Sequence, residues 1–167
     1  VRSNVKIKNS IFVNGFSDAL DLDLVTGELI KNQFINPGND GLDLSMSNII
    51  MNKNRFSGCK DKCISVGEGT KVKIKYSYIR NCNIGIAVKD KSFATLTNST
   101  IDSCNIAWNS YRKKWRWELG GRGEIINSKL INSKLADIKG DKFSSVVLSE
   151  KNRKSFKING KIKINQK

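Results

Sequence analysis

The sequence predicts an all-β solenoid of about six coils, each about 22 residues long. Three observations predict this fold. Apolar residues recur in columns at a spacing of 22 or 23 residues, the segments around them alternate apolar and polar residues, and small or turn-forming residues recur in step with the columns. A repeat of this kind cannot bury its apolar face alone, so successive coils are expected to stack into one continuous core.

Four apolar columns run through the chain in one register. The first contains Ile7, Leu29, Met51, Ile74, Leu96 and Ile125, and the second contains Phe12, Phe34, Phe56, Ile79, Ile101 and Leu130. The third contains Leu20, Leu42, Ile64, Ile86 and Trp108, and the fourth contains Leu22, Leu44, Val66 and Val88. Alternating segments such as VKIKNSIF and ALDLDL are typical of strands with one buried face. Each coil is therefore expected to hold two or three short strands.

Two further columns support this register. Small residues precede the third apolar column, as expected where the backbone crowds at a bend. They are Ala19, Gly41, Cys63, Gly85, Ala107 and Ala136. Two residues after the phenylalanine column come Asn14, Asn36, Gly58, Asn81, Ser103 and Asn132. This column predicts an asparagine ladder, in which side-chain amides hydrogen-bond to the coils above and below.

These repeats make the sequence similar to the right-handed parallel β-helix family, the broad group that includes pectate lyases and other polysaccharide-acting enzymes. The segments DALDLDL, NDGLDLS, DKCISVGEG and NIGIAVKDKS carry the resemblance, which covers roughly residues 1–140. The resemblance implies a right-handed, single-stranded solenoid and an extracellular or cell-surface location. It does not imply one activity, because β-helices host lyases, hydrolases, epimerases and non-catalytic binding modules.

The domain prediction follows from length and composition. A chain of 167 residues with 38% hydrophobic residues can fill one slender core. We predict a β-helix over residues 1–140 that continues from a preceding segment, and other domains of the same polypeptide as partners. Residues 141–167 are predicted to form a basic cap or tail of two strands joined by the polar run Glu150 to Lys154. Asp137 and Lys139 fall in core columns, which indicates that the apolar stack ends there. No segment is long and apolar enough to predict a membrane span.

Charge is distributed unevenly along the chain. The formal net charge is +15, yet residues 1–50 hold four basic and six acidic side chains, so the remaining 117 residues carry +17. This distribution favours an anionic partner for the second part of the chain. Nucleic acid is disfavoured as that partner, because the sequence contains no recognised nucleic-acid-binding module. Solubility alone is the competing explanation for the excess of lysine.

The five aspartates of the first two coils are the first candidate site. With Leu20 and Leu22 pointing inward, Asp21 and Asp23 point outward, and the 22-residue period places Asp43 over Asp21. Asp18 and Asp40 form a second stacked pair at the preceding bend. Stacked like charges repel unless a cation or a proton compensates them. The pattern therefore fits calcium ligation or a pair of carboxylates with acid and base roles, or aspartates that accept backbone amides at bends.

Lys89 is the candidate catalytic base, together with Asp43. It lies on the same predicted face, about two coils or roughly 10 Å from Asp43. In the lyases that the sequence resembles, calcium neutralises a uronate carboxylate while a lysine or arginine removes the neighbouring proton. A solvated surface lysine is the competing interpretation.

The one large departure from the period is the 29-residue interval before the sixth coil, which enlarges a loop over residues 111–123. Indole rings stack on sugars or bases, and basic side chains pair with carboxylate, sulfate or phosphate. The predicted substrate-binding residues are Tyr111, Arg112, Lys113, Trp115, Arg116 and Trp117. The alternative is that Trp115 or Trp117 covers the open core beside Trp108.

The four cysteines are expected to be buried members of the ladder. Cys59, Cys82 and Cys104 each follow the phenylalanine column by three residues, and Cys63 occupies a different column. A disulfide between neighbouring coils is possible by distance, and the redox state stays open. Zinc is disfavoured because the chain has no histidine and no CxxC pair.

Two functions fit these observations. The first is a module that binds or acts on an acidic polysaccharide, lyase-like at most, through the aspartate-rich face and the basic aromatic loop. The second is a non-catalytic structural or adhesive repeat domain of a larger surface protein.

Overall fold

The computed structural model describes residues 3–149 and 156–166 and is built entirely from strands and turns in this range. The strands of coils one to three are β1 (Asn4–Lys8), β2 (Ile11–Val13), β3 (Asp21–Asp23), β4 (Thr26–Ile30), β5 (Gln33–Ile35), β6 (Leu42–Ser45), β7 (Asn48–Asn52), β8 (Arg55–Ser57) and β9 (Lys62–Gly67). Coils four and five contain β10 (Lys71–Lys75), β11 (Tyr78–Arg80), β12 (Ile84–Lys89), β13 (Phe93–Thr97), β14 (Thr100–Asp102) and β15 (Ile106–Tyr111). The later strands are β16 (Arg122–Ile126), β17 (Lys129–Ile131), β18 (Ala136–Gly140), β19 (Ser145–Leu148), β20 (Ile158–Gly160) and β21 (Lys163–Gln166).

From β4 to β19, each strand pairs in parallel with the strand three positions earlier in the chain, and this pattern gives three sheets. Sheet 1 has the order β1-β4-β7-β10-β13-β16-β19-β21, sheet 2 runs β2-β5-β8-β11-β14-β17, and sheet 3 runs β3-β6-β9-β12-β15-β18-β20. Each of the first six coils contributes one strand to each sheet, and β19, β20 and β21 extend sheets 1 and 3, so the chain is a parallel β-solenoid of about seven turns. The predicted fold class is confirmed, with about one turn more than the six coils expected from the repeats.

The apolar columns form the core in the predicted register. Phe34 pairs with both Phe12 and Phe56, and the three rings stack with centroids 4.8 and 4.4 Å apart. Leu29, Phe34 and Trp108 are fully buried. The small column is also confirmed at Gly41, where an added Cβ would lie 2.6 Å from the Cys63 carbonyl oxygen. Apolar side chains one period apart therefore stack at strand spacing to form one continuous core.

The predicted register is wrong in the sixth coil. Ile138 pairs with Trp108 and Ala136 pairs with Ile106, so Asp137 and Lys139 do not occupy core columns and Ala136 is not in the small column. The turn between β17 and β18 contains one residue more than the equivalent turn of the fifth coil, which shifts every following position by one. The apolar stack does not end there, because Val146 and Leu148 of β19 are buried against the core.

A buried polar ladder, which the sequence analysis missed, lines the turn between sheets 1 and 2. The Asn32 backbone N–H and side-chain amide donate to Asn54 Oδ1 at 2.9 and 3.1 Å, and the Asn54 amide donates to the Leu29 carbonyl at 2.8 Å. Further along, Ser77 and Ser99 accept from the backbone of the preceding coil at 3.2 and 3.0 Å. These contacts satisfy backbone groups that the turn removes from the sheets.

The predicted asparagine column lies at the turn between sheets 2 and 3. The backbone conformation of this turn is the main reason why asparagine is suited to these positions. Its members adopt left-handed backbone conformations, with φ of 52° at Asn14, 48° at Asn36 and 54° at Asn81. Asparagine tolerates this region better than other residues with a Cβ. Asn36 also donates to Asn14 Oδ1 at 3.5 Å, so stacked amide contacts are present, but they are exposed.

One disulfide joins neighbouring coils. Cys63 of β9 is bonded to Cys82, with 5.9 Å between their Cα atoms, while Cys59 and Cys104 are buried free thiols. The bonded pair is therefore not formed within the single column of Cys59, Cys82 and Cys104.

The strands beyond residue 140 extend the existing sheets. β19 and β21 pair in sheet 1, and β20 pairs with β18 in sheet 3. The predicted run Glu150 to Lys154 lies outside the described residues. Within residues 3–149 and 156–166, no helix is long and apolar enough to cross a membrane.

Replacing Asn54 with alanine tests the buried ladder. The substitution leaves the Asn32 backbone N–H and the Leu29 carbonyl without partners, so we expect the free energy of unfolding to fall by about 2–4 kcal/mol. Urea denaturation followed by circular dichroism measures the change. The control is Asn48→Ala, at an exposed position of β7, which is expected to change stability by less than about 0.5 kcal/mol. Equal losses in both variants would contradict the role assigned to the ladder.

Candidate functional site

The outer face of sheet 3 holds the candidate site, because the predicted aspartates, Lys89 and the enlarged loop all lie on or beside it. The strand register confirms that Asp21 lies over Asp43, and that Asp23 lies over Ser45. Asp21 and Asp23 are exposed, whereas Asp43 is half-buried. Two outward columns of sheet 3 therefore begin with carboxylates.

Asp18 and Asp40 serve the turns rather than the open face. Asp18 Oδ1 accepts the Asp40 backbone N–H at 2.8 Å and the Asn39 side-chain amide at 2.7 Å. One coil later, Asp40 Oδ1 accepts the Lys62 backbone N–H at 2.9 Å. Each carboxylate thus binds the backbone of the next coil at the same corner. This agrees with the alternative in which these aspartates accept backbone amides at bends.

The remaining three carboxylates repel one another. The pKa of Asp21 is raised, first by partial burial and then by the charges of Asp23 and Asp43. Three side chains could hold one metal ion where their possible ligating atoms lie within 4.8 Å of one another. Among the described residues, only Cys59, Cys63 and Cys82 meet this distance, and no three of the five aspartates do. Calcium ligation by Asp18, Asp21, Asp23, Asp40 and Asp43 stays a prediction.

Lys62 and Asp61 belong to this corner and were missed by the sequence analysis. The Lys62 ammonium lies 3.2 Å from Asp40 Oδ1 and also contacts the Asp61 carboxylate. Burial disfavours the charge of Lys62, but the two carboxylates outweigh this effect and raise its pKa. The sequence could have predicted this contact, because Lys62, in the segment DKC, follows Asp40 by one period of 22 residues.

Lys89 lies folded down on the sheet. Its ammonium donates to Ser65 Oγ at 2.6 Å, and only 6% of the residue is exposed. A Cβ added at Gly67 would lie 3.4 Å from Lys89 Cε, so glycine at this position leaves room for the lysine stem. Ser65 pairs directly with Asp43, so the ammonium contacts the residue that stacks on Asp43 in the next coil.

Lys89 is a buried cation without a direct ion pair among the described residues. Its pKa is lowered, first because burial disfavours the charged form, with Lys113 and Lys62 adding repulsion and Asp43 opposing it. Nearby, Asn109, Tyr111 and Lys139 line a shallow groove of about 290 Å³. Lys89 and Lys113 therefore bring positive charge to one part of the face, close to a groove.

The enlarged loop begins at Tyr111 and is fixed to the solenoid by two carboxylates. Asp90 Oδ1 accepts the backbone N–H groups of Lys113 and Lys114 at 2.7 and 2.9 Å. Asp141 Oδ2 accepts the Arg112 backbone N–H at 2.7 Å. These hydrogen bonds hold the start of the loop in one geometry, and their carboxylates were not singled out from the sequence.

The predicted substrate-binding residues divide into two groups. Arg112 places its guanidinium 3.5 Å from the centre of the Phe143 ring, and Trp117 packs beside Gly69. In contrast, Trp115 is 89% exposed, and Arg116 is exposed as well. Neither Trp115 nor Trp117 is among the hydrophobic side chains that pack against the core, so the alternative that one of them covers it beside Trp108 is wrong.

Two basic side chains of the enlarged loop, Lys113 and Arg116, have no ion pair in the described part of the chain. Lys114 pairs with Glu68 at the adjacent turn, whereas neither Lys113 nor Arg116 forms an ion pair within the described part of the chain. Trp115 is therefore an exposed indole on a loop that also carries two cations without ion pairs, Lys113 and Arg116.

Comparisons with known proteins agree with the fold. The family model described as "Right handed beta helix region" matches residues 2–140. A curated relative, Polygalacturonase-2 from Solanum lycopersicum, is 27% identical over 147 residues, which cover 81% of this chain. The chain spans about a third (32%) of the length of that relative. No solved structure matches significantly.

Replacing Lys89 with methionine tests whether the buried charge of Lys89 destabilises the fold. Methionine fills the same space without a charge, so we expect the melting temperature at neutral pH to rise by about 2–4 °C, the equivalent of about 1 kcal/mol. The pKa of Lys89 is lower in the folded chain than in the unfolded chain. At a pH between these two values the unfolded chain binds more protons, so the stability of the wild type increases as pH rises.

The difference between K89M and the wild type should therefore shrink in alkaline buffer. Thermal unfolding at a series of pH values measures it. The control, Lys73→Met on the exposed face of β10, should show no such trend. A lower melting temperature for K89M than for the wild type at neutral pH would refute the conclusion that the buried Lys89 charge destabilises the fold.

Proposed function

Because the chain belongs to the right-handed beta helix family, we propose that it is a module that binds an acidic polysaccharide along the outer face of sheet 3. The observation that carries the proposal is Trp115, an indole that is 89% exposed on a loop anchored by Asp90 and Asp141. An exposed aromatic ring on a fixed loop is a typical platform for the apolar face of a sugar ring. Anchoring also lowers the entropy lost on binding.

Charge supports an acidic rather than a neutral sugar. Lys113 and Arg116 have no ion pair in the described part of the chain, and Lys89 lies nearby as a buried cation whose pKa is lowered by burial. A uronate carboxylate would relieve the repulsion between Lys89 and Lys113. The curated relative is named for polygalacturonate, an acidic polysaccharide, which adds support for this class of ligand.

Lyase-type chemistry is the furthest extension of this proposal. Lys89 would be the base, since burial lowers its pKa and increases the fraction that is neutral at a given pH. Asp43 would act beside it, with calcium held by Asp21, Asp23 and Asp43 neutralising the substrate carboxylate. Incubation with polyuronates, followed by the ultraviolet absorption of unsaturated products, tests this extension separately from binding.

A structural or adhesive repeat domain is the second candidate. It is favoured by the aspartates that accept backbone amides instead of facing the solvent, as Asp18, Asp40 and Asp90 do. Absence of binding across acidic and neutral polysaccharides would favour this candidate.

Replacing Trp115 with alanine tests the binding platform. We expect the affinity for polygalacturonate oligomers to fall roughly tenfold, the equivalent of about 1.4 kcal/mol. Isothermal titration calorimetry at low salt measures it. Phe16→Ala is the matched control, because Phe16 is fully exposed on the turn before β3, in the first coil. Equal affinity in the wild type and W115A would contradict the platform.

Calcium binding has its own test. If Asp21, Asp23 and Asp43 hold the ion, millimolar calcium should raise the melting temperature by about 2–4 °C, and D43N should lose most of this shift. Glu118→Gln, at an exposed loop position, is the control and should keep the shift. An unchanged melting temperature of the wild type at about 10 mM calcium would remove calcium from the proposal.

A further inference from the structure

Three sulfur atoms meet inside the solenoid where the third and fourth coils stack. The Sγ atoms of Cys59, Cys63 and Cys82 all lie within 4.8 Å of one another. Cys63 and Cys82 form the disulfide, and Cys59 is a free thiol. All three residues are buried, with 2% or less exposed at Cys59 and Cys63 and 5% at Cys82. The Cys59 thiol therefore lies within 4.8 Å of both sulfurs of the disulfide, and the three cysteines belong to two adjacent coils.

The solenoid register explains why two pairings are available. Phe56 pairs with Ile79, and Cys59 and Cys82 each follow these residues by three positions, so they stand in one column. Cys59 and Cys63 both belong to the third coil, and Cys82 belongs to the fourth. A bond from Cys82 to either partner would join the same two coils, so exchanging one bond for the other requires no change of strand register.

We propose that Cys59, Cys63 and Cys82 form a thiol–disulfide exchange site in which Cys82 pairs alternately with Cys63 and Cys59. In the exchange, the Cys59 thiol loses its proton and its Sγ bonds to Cys82 Sγ. The Cys63–Cys82 bond breaks at the same time, and Cys63 Sγ leaves as a thiolate that takes up a proton. One disulfide and one thiol are present before and after, so no external oxidant or reductant is needed.

The site borders a surface groove on one side. Cys59 and Cys82 both line a shallow groove of about 570 Å³, together with Gly58, Lys60, Asn81 and Lys134. Cys63 does not line this groove. Cys82, which is 5% exposed, therefore borders the groove, whereas Cys63 is fully buried.

The rate of exchange is expected to depend on pH. Burial raises the pKa of the Cys59 thiol to about 12, and only the thiolate attacks a disulfide. The exchange should therefore be slow at neutral pH and should accelerate roughly tenfold for each unit of added pH below that pKa. Cys104 is not among the three clustered sulfurs, but it follows Cys82 by one coil in the same column, so a bond between Cys82 and Cys104 is the competing pairing.

The decisive variant is Cys63→Ser, equilibrated in a glutathione redox buffer and mapped by non-reducing digestion and mass spectrometry. We expect one intramolecular disulfide, between Cys59 and Cys82, and a free Cys104. The matched control is Cys104→Ser, which should keep the pairings of the wild type. Three free thiols in C63S, or a bond between Cys82 and Cys104, would overturn the proposal.

The wild-type chain gives a second test that does not depend on the folding of a variant. After equilibration at mildly alkaline pH, an acid quench and alkylation in denaturant identify which sulfur is free. The two pairings join the same coils, so we expect their populations to lie within about tenfold of each other and Cys63 to be alkylated in at least about a tenth of the molecules. Alkylation of Cys59 and Cys104 alone, at every pH and time, would also overturn the proposal.

Discussion

Parallel hydrogen bonding between successive coils is the constraint on which the rest of this structure depends. Each strand can satisfy its backbone only if the next coil presents a strand in the same direction and at the same height. This forces side chains one period apart to stack, so Phe12, Phe34 and Phe56 form one column of rings. The same stacking brings Asp21 over Asp43, where the fold accepts repulsion that a sequence free of this constraint would avoid.

The corners show how the constraint is met where the sheets are interrupted. At the turn between sheets 1 and 2, Asn32 and Asn54 replace backbone partners with side-chain ones. At the turn between sheets 2 and 3, Asp18 and Asp40 accept backbone amides of the following coil. Polar residues at the corners therefore carry the ladder of hydrogen bonds around each bend. Their carboxylates contribute to the architecture before any ligand is considered.

The sequence was sufficient for the fold because stacking imposes the period directly on the apolar residues. The columns beginning at Ile7, Phe12 and Leu20 all pair in the predicted register. The prediction failed in the sixth coil, where one added turn residue moved Ile138 rather than Asp137 into the core. A fixed period cannot show at which corner an extra residue is accommodated, since each corner tolerates a different backbone conformation.

The candidate site was less predictable, because side chains on the outer face are not held to the period. Column positions placed Lys89 and Asp43 on one face, but they did not show that Lys89 bends over Gly67 toward Ser65. They also did not separate Trp115, which is exposed, from Trp117, which packs beside Gly69. Asp90 and Asp141 were missed for a related reason, since the loop that they hold has no counterpart in the other coils.

The position of that loop has a consequence for the evolvability of the scaffold. It enters at the corner between sheets 3 and 1, and β16 still pairs with β13 after the added residues, so the insertion leaves the stack undisturbed. Each coil has an equivalent corner, for example between Ser45 and Asn48. New loops can be grafted at any of these corners, one per coil, so that a single solenoid can present a row of independently variable segments at about 5 Å intervals.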